Sequence, residues 1–195
     1  MRFISEKKAI AKLQSIKNAF AEAIQKGFEH RAKSCSTCNT PGACCLDAHF
    51  VNVRITRLEA AAIERRLDQL SRDHRVAVYS RIDEVIEKYQ LCDGDDAESQ
   101  TYACPLFERE VGCLVHEQGK PLPCIAHACY ERKEDLPPDE LLTERELEVD
   151  RLNERVYGKP AEWLPMPVAI RMQKPAREQG RNIQRIGSRL LKPPT

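Results

Sequence analysis

The chain has 195 residues, nine cysteines, 31% charged residues, 6% aromatic residues and a formal charge of +1. This length suits a single domain, and no stretch approaches the roughly 18 consecutive apolar residues that a membrane span requires, so we expect no membrane association. The first residues, MRFISEKKAIAKLQ, lack an apolar segment followed by a cleavage site, so we expect a cytoplasmic protein whose thiols stay reduced and do not pair as disulfides.

The N-terminal part of the chain predicts a helix, a cysteine-rich loop and a short extended segment. Apolar residues recur at three- and four-residue steps over residues 4–28, which is typical of an amphipathic helix, and Gly27 is suited to end it. After the cysteines, apolar and polar residues alternate over 51–55, which favours a strand. Thr56 and Glu59 then have the spacing of a capping box, in which each side chain accepts a hydrogen bond from a free backbone N–H at a helix start.

The rest of the chain predicts more helices and little β structure. Helical periodicity predicts helices over 57–70, 72–91 and 139–157. The acidic stretch 93–100 has the composition of a solvated loop. Residues 102–130 show no sustained periodicity, so we expect irregular structure that is held by something other than a hydrophobic core. The predicted fold is mainly α: a small helical domain around an irregular, cysteine-rich, metal-binding centre.

We divide the chain into three parts. Residues 1–33 are expected to form an N-terminal helix packed on the domain, and 34–157 to form a cysteine-cluster metal-binding domain. Residues 158–195, which are rich in proline and arginine, are expected to form a basic tail.

Charge is distributed unevenly along the chain. Residues 92–150 contain 16 acidic and five basic residues, whereas residues 168–195 contain one acidic and seven basic residues. The simplest interpretation is a solvated acidic face and a tail that docks on it. Binding of nucleic acid through the basic residues of 171–192 is the alternative, although no aromatic platform lies among these cations.

Eight of the nine cysteines fall into two blocks, and we interpret them as metal ligands. Thiolates are strong ligands for zinc and for iron–sulfur centres, and the count of eight suits two four-thiolate sites or one shared polynuclear site. Cys92 lies outside both blocks and is more simply a buried thiol. The predicted ligands are Cys35, Cys38, Cys44, Cys45, Cys104, Cys113, Cys124 and Cys129.

Spacing within the first block, CSTCNTPGACC, suggests two kinds of ligand pair. Cys35 and Cys38 form a C-x2-C pair, whose tight turn lets both sulfurs reach the same ion. Cys44 and Cys45 are adjacent, and because consecutive side chains tend to diverge, we expect them to serve different metal atoms or different sites. Gly42 would let the backbone pass close to the metal.

The order of these motifs resembles the CxxCxxCC cysteine-cluster family. The matching motifs, within residues 35–130, are C-x2-C, CC, an extended segment, Thr-x2-Glu at a helix start, C-P-L, G-C and Pro-x2-Cys. That family is described as zinc- or iron-chelating and sometimes as containing an iron–sulfur cluster, so the resemblance implies metal chelation without a defined reaction. The chain departs from the family pattern in the five-residue NTPGA spacer, in His116 at an aromatic position and in Lys120-Pro121 in place of Arg-Pro.

The metal and the chemistry stay open at this stage. An iron–sulfur centre would allow electron transfer or redox chemistry, whereas zinc in closed thiolate sites would be structural and would suit a non-enzymatic adaptor that presents its surface to a protein partner. His116 and His127 lie near cysteines in sequence and are candidates for ligands or for donors to sulfur, with His49 a weaker candidate. Cys124 or Cys129 with His127 is the nearest approach to a nucleophilic cysteine, and no enzyme class follows from it.

Overall fold

The computed structural model describes residues 3–34, 38–48, 51–92 and 100–173. The helices are α1 (Glu6–Gly27), α2 (Ala43–Leu46), α3 (Arg57–Leu67), α4 (Arg72–Tyr89), α5 (Leu122–Ala126), α6 (Asp139–Tyr157) and α7 (Met166–Gln173), with single-turn helices at Glu29–Arg31 and Lys133–Asp135. The strands are β1 (Arg54–Ile55), β2 (Phe107–Glu108), β3 (Gly112–Cys113) and β4 (Leu164–Pro165). The expectation of a mainly α-helical protein with little β structure is confirmed.

Side chains and glycine fix the helix ends. The Thr56 hydroxyl accepts a hydrogen bond from the backbone N–H of Glu59 at 3.3 Å, and the Glu59 carboxylate accepts one from the backbone N–H of Thr56 at 3.2 Å. This is the capping box that the sequence predicts at the start of α3. Ser5 and Ser71 cap α1 and α4 with their side chains. Gly158 follows α6 with a φ of 73°, a left-handed conformation that favours glycine.

Two clusters of buried apolar side chains hold the helices together. The first joins α1, α5 and α6 and includes Leu13 and Val149. The second joins α3, α4 and α7 and includes Ile63 and Ile82. Helix α3 contributes to both, since its Leu58 belongs to the first cluster. Helix α3 therefore connects the N-terminal helix to the C-terminal part of the fold.

The fold extends further towards the C-terminus than the predicted boundary at residue 158. Helix α7 packs against α3 and α4, and its Met166 and Ile170 are 1% and 0% exposed. Strand β4 pairs antiparallel with β1, with Leu164 opposite Ile55. A two-residue strand and an eight-residue helix give too short a pattern for periodicity to detect. Residues 164–173 therefore belong to the domain and not to a tail.

The first cation of the predicted nucleic-acid-binding stretch also belongs to the fold. Arg171 lies in α7, and its Nε is 2.6 Å from Oδ1 of Asp83 on α4. This ion pair gives Arg171 an intramolecular partner. The remaining residues of the stretch, 174–192, lie outside the described residues.

Residues 102–130 are largely irregular, as expected, but a hydrophobic core does hold them. Tyr102, Leu106 and Leu122 are each 0% exposed. The Tyr102 hydroxyl donates to the carbonyl of Val53 and accepts from the backbone N–H of Met166 at 3.2 Å. The expectation that the core plays no part here is therefore wrong. Apolar residues in irregular backbone follow no period, so the sequence pattern does not reveal their burial.

No helix within the described ranges is long and apolar enough to cross a membrane. The predicted solvated loop at 93–100 lies outside the described residues except for Gln100. The Gln100 amide oxygen accepts from the backbone N–H of Cys92 at 3.1 Å, and its Nε2 lies 3.4 Å from the sulfur of Cys92. Cys92 is therefore half-buried and hydrogen-bonded to the side-chain amide of Gln100.

Candidate metal centre

A backbone hydrogen bond joins the two cysteine blocks. The N–H of Cys104 donates to the carbonyl of Cys45 at 2.7 Å. Nearby, the N–H of Tyr102 donates to the carbonyl of Val51 at 3.0 Å. These bonds hold the beginning of the second block alongside the end of the first, although the two are far apart in sequence.

Cys44 and Cys45 lie in α2, a single turn that begins after Gly42. Gly42 has a φ of 81°, and a Cβ atom at this position would overlap the ring of Phe107. The sequence interpretation assigns Gly42 to a close approach of the backbone to a metal, but the close neighbour in the structure is this aromatic ring. Both the conformation and the contact require glycine.

We expect Gly42→Ala to destabilise the fold by about 2 kcal/mol or more, because alanine resists the left-handed conformation and its methyl group displaces Phe107. Chemical denaturation of the metal-free protein measures the change in the free energy of unfolding. Gly27→Ala is the matched control, since a Cβ at Gly27 meets nothing within 4 Å. Equal unfolding midpoints for the two variants would contradict the role assigned to Gly42.

The hairpin of β2 and β3 presents Cys113 and is anchored by α4. Cys113 lies opposite Phe107 in the antiparallel pair. On the same hairpin, Oε1 of Glu108 lies 2.9 Å from Nε2 of His74 and 2.5 Å from a guanidinium nitrogen of Arg81. Partial burial opposes ionisation of Glu108, but the bonds from His74 and Arg81 outweigh it and lower its pKa. Helix α4 therefore fixes the hairpin through a carboxylate.

Four thiols, which we call the thiol group, act on one another electrostatically. They are Cys45, Cys104, Cys113 and Cys124. Besides burial, the charges of Cys104 and Cys113 raise the pKa of Cys45, and those of Cys113 and Cys45 raise the pKa of Cys124. The charges of Cys124 and Cys113 likewise raise the pKa of Cys104. The thiol group thus combines one cysteine of the first block with three of the second.

Burial is the largest cause of the raised thiol pKa values. It raises the pKa of both Cys104 and Cys124 from 9.0 to about 12, with neighbouring thiols adding to the effect. The pKa values of Cys45 and Cys113 are raised as well, again mainly by burial. Without a metal these thiols hold their protons at neutral pH. A metal ion must displace those protons, so its affinity falls as the pH falls.

Backbone amides near two of the buried sulfurs favour their ionised form. The backbone N–H groups of Leu106 and Phe107 act to lower the pKa of Cys104, and that of Val115 acts to lower the pKa of Cys113. This effect opposes burial, which remains the larger cause. Amide donors of this kind also tune the reduction potential of thiolate-bound iron.

Two lysines provide positive charge beside the same sulfurs. The ammonium groups of Lys17 and Lys120 both act to lower the pKa of Cys124, and Lys120 does the same for Cys113. Four thiolates carry more negative charge than one divalent ion neutralises. Buried charge of this kind is tolerated only when it is paired or hydrogen-bonded, and the lysines and amides meet that need. The chemistry of this donor set therefore fits a thiolate-bound metal.

The other predicted ligands are placed differently. Burial is the main cause of the raised pKa of Cys45, and the adjacent thiol of Cys44 adds to it, so these two thiols also act on one another. Cys38 is half-buried in the preceding loop and is not among the thiols whose charges act on the thiol group. The carbonyl of Cys129 accepts from the N–H of Lys33 at 3.0 Å, and the Cys129 thiol acts on the Lys33 ammonium. Cys129 therefore lies near the start of the first block.

Two predicted candidates fall outside the described residues, and two lie on a cavity wall. Cys35 and His49 lie outside the described residues. His116 and His127 line a cavity next to α1, together with Lys120. Burial, followed by the charge of Lys120, lowers the pKa of His127 and favours its neutral imidazole.

The thiols are grouped, but they do not form a finished coordination site. In the part of the chain that the structure describes, no group of three or more His, Cys, Asp or Glu side chains is arranged to hold a metal ion. None of the eight described cysteines forms a disulfide. Metal binding would therefore require the side chains of the thiol group to rearrange.

Sequence reasoning missed one component near this centre, the buried ion pair of Lys17 and Glu59. Their side chains are 3% and 0% exposed, and Nζ lies 2.9 Å from Oε1. A signal was present, since Lys17 falls on the apolar stripe of α1 between Leu13 and Phe20. A lysine within such a stripe indicates a buried partner, because an unpaired buried charge is costly.

Comparison of the chain with family models, curated proteins and solved structures gave no match. The resemblance to the CxxCxxCC cysteine-cluster family therefore stays a prediction from the order of the motifs.

Proposed function

We propose that the protein binds a metal centre through the thiolates of the thiol group, and that this centre is an iron–sulfur cluster with a role in electron transfer or redox chemistry. The observation that carries the proposal is the mutual electrostatic effect of Cys45, Cys104, Cys113 and Cys124, together with the backbone hydrogen bond from Cys104 to Cys45 that joins the two blocks. Their amide and lysine neighbours favour anionic sulfur.

Three observations favour an iron–sulfur centre over a single zinc ion. Cys44 adjoins Cys45 in α2 and adds to the rise in its pKa, which places a fifth thiol beside the thiol group where one tetrahedral zinc uses about four. The thiol group also contains no C-x2-C pair, the usual unit of structural zinc sites. The amide donors to Cys104 and Cys113 suit a centre whose reduction potential must be set.

Zinc is the second candidate, because four thiols are also the number that closes a structural zinc site. In that case the metal contributes folding free energy, and the protein acts as a non-enzymatic adaptor for another protein. The family resemblance allows either metal. In both cases we place the protein in the cytoplasm, where thiols stay reduced, and we expect a protein partner.

Metal analysis of protein purified without oxygen separates these candidates. We expect a brown sample that absorbs visible light and contains iron and acid-labile sulfide in equal amounts. A colourless sample with about one zinc ion per chain would support the adaptor instead. Protein that contains neither metal, and binds neither when reconstituted, would contradict metal binding altogether.

A further inference from the structure

A cavity of about 380 Å³ lies beside the thiol group, between α1, residues 116–120 and the end of α5. This volume falls within the roughly 300–1,000 Å³ typical of small-molecule sites. Ile24 and Ile125 provide apolar wall, while Asn18 and other amide side chains provide hydrogen-bonding groups. The cavity thus combines the two kinds of surface that such sites use.

Lys17 is a buried cation in the wall of this cavity. The residue is 2% exposed, and its ammonium lies 2.9 Å from Oε1 of Glu59. Apart from this ion pair, the ammonium has no hydrogen-bonding partner among the described residues. An ammonium has three N–H donors, and leaving donors unsatisfied in a buried position is costly. An oxygen atom in the cavity would satisfy them.

Lys120 is a second cation in the same wall. It is half-buried, and its charge acts on His127, Cys113 and Cys124. Its ammonium therefore lies near both the cavity and the thiol group. The imidazole of His127 also lines the cavity, and in either protonation state it has a ring N–H to donate.

The acidic residues that line the cavity are solvated. Glu22 is 67% exposed in its side chain and pairs with Lys26, and Glu117 is 89% exposed beside His116. Glu29 is exposed as well. Water screens these carboxylates. The charge of Lys17 is balanced by Glu59, but its ammonium keeps N–H donors without a hydrogen-bonding partner among the described residues. A ligand that enters the cavity therefore meets the free donors of Lys17 and the positive charge of Lys120.

We propose that this cavity binds a small oxyanion, the phosphate or carboxylate group of a metabolite, through Lys17 and Lys120. The oxyanion accepts hydrogen bonds from both ammonium groups and from His127, while Ile24 and Ile125 contact the rest of the molecule. This inference goes beyond metal binding, since the lysines are present whether or not the thiols hold a metal. It also places the ligand next to the thiol group.

Isothermal titration of the full chain with inorganic phosphate, and separately with malonate, tests the proposal. We expect saturable binding of at least one of these anions at one site per chain. Lys120→Gln keeps a flexible polar side chain, shorter by one atom, and removes its charge, so it should weaken binding about tenfold or more. Lys12→Gln is the matched control. Lys12 is exposed on α1 and does not line the cavity, so this variant removes the same charge from a position where no effect on binding is expected.

Each outcome of this titration bears on the proposal. If the protein binds phosphate but not malonate, the natural ligand carries a phosphate group. If it binds malonate but not phosphate, the natural ligand carries a carboxylate. Absence of saturable binding by both anions, or equal weakening by Lys120→Gln and Lys12→Gln, would overturn it. Metal content is measured on the same samples. Normal metal content with no anion binding would refute only the proposal that the cavity binds an anion. Anion binding by a chain that takes up no metal would refute only the proposal of a metal centre.

Discussion

Cys104→Ser is expected to lose most of the bound metal and to unfold at a lower temperature than the unchanged protein. The Cys104 thiol interacts electrostatically with Cys113 and Cys124, and its backbone N–H donates a hydrogen bond to the carbonyl of Cys45. A serine hydroxyl is a poor ligand for soft metals and does not ionise at neutral pH. Because metal is bound only by the folded chain, its loss also removes folding free energy.

Metal content per chain and thermal unfolding, both measured on protein prepared without oxygen, check this expectation. Cys92→Ser is the matched control, since the Cys92 thiol lies beside Gln100 and outside the thiol group. It should keep its full metal content. The assignment of the thiol group would be wrong if Cys104→Ser kept its metal and stability, and a loss of metal from Cys92→Ser would add the ninth cysteine to the site.

The regular parts of the fold could be predicted from the sequence because their signals are local. The capping box of Thr56 and Glu59 depends on residues three apart, and the helix predicted over 139–157 has the bounds found for α6. Helix α7 and the buried Tyr102 could not be predicted in this way. Their burial is set by contacts with distant segments, β1 among them, and not by a repeating pattern.

The candidate metal centre could also be predicted only in part, because some of its features are local in sequence and others depend on tertiary contacts. The sequence indicates which residues are suited to hold a metal, since cysteine is the ligand type that zinc and iron–sulfur centres prefer. It does not indicate which cysteines meet. The pairing of Cys45 with Cys104 follows from a backbone hydrogen bond between two loops, and the position of Cys113 follows from a hairpin that Glu108 anchors to α4. Such contacts depend on tertiary structure, which spacing within a block does not encode.

The second large effect expected is on stability, from Lys17→Met. This change should destabilise the protein by about 3–5 kcal/mol, because it leaves the carboxylate of Glu59 buried without a cation. Glu59 is 0% exposed, and its other oxygen is already engaged by the capping box at the start of α3. Urea unfolding of the metal-free protein measures the change and separates it from any effect on metal binding.

A double variant shows whether the uncompensated charge is the cause. Lys17→Met combined with Glu59→Gln removes both charges, and glutamine can still serve in the capping box with Thr56. Most of the lost stability should return, since replacing a buried ion pair with neutral groups is often close to neutral in free energy. Equal instability of the single and double variants would instead mean that the packing of the lysine chain between α1 and α3 matters more than its charge. Recovery in the double variant would show that the ion pair as a whole adds little to stability, and that Lys17 is needed because it neutralises the buried carboxylate of Glu59.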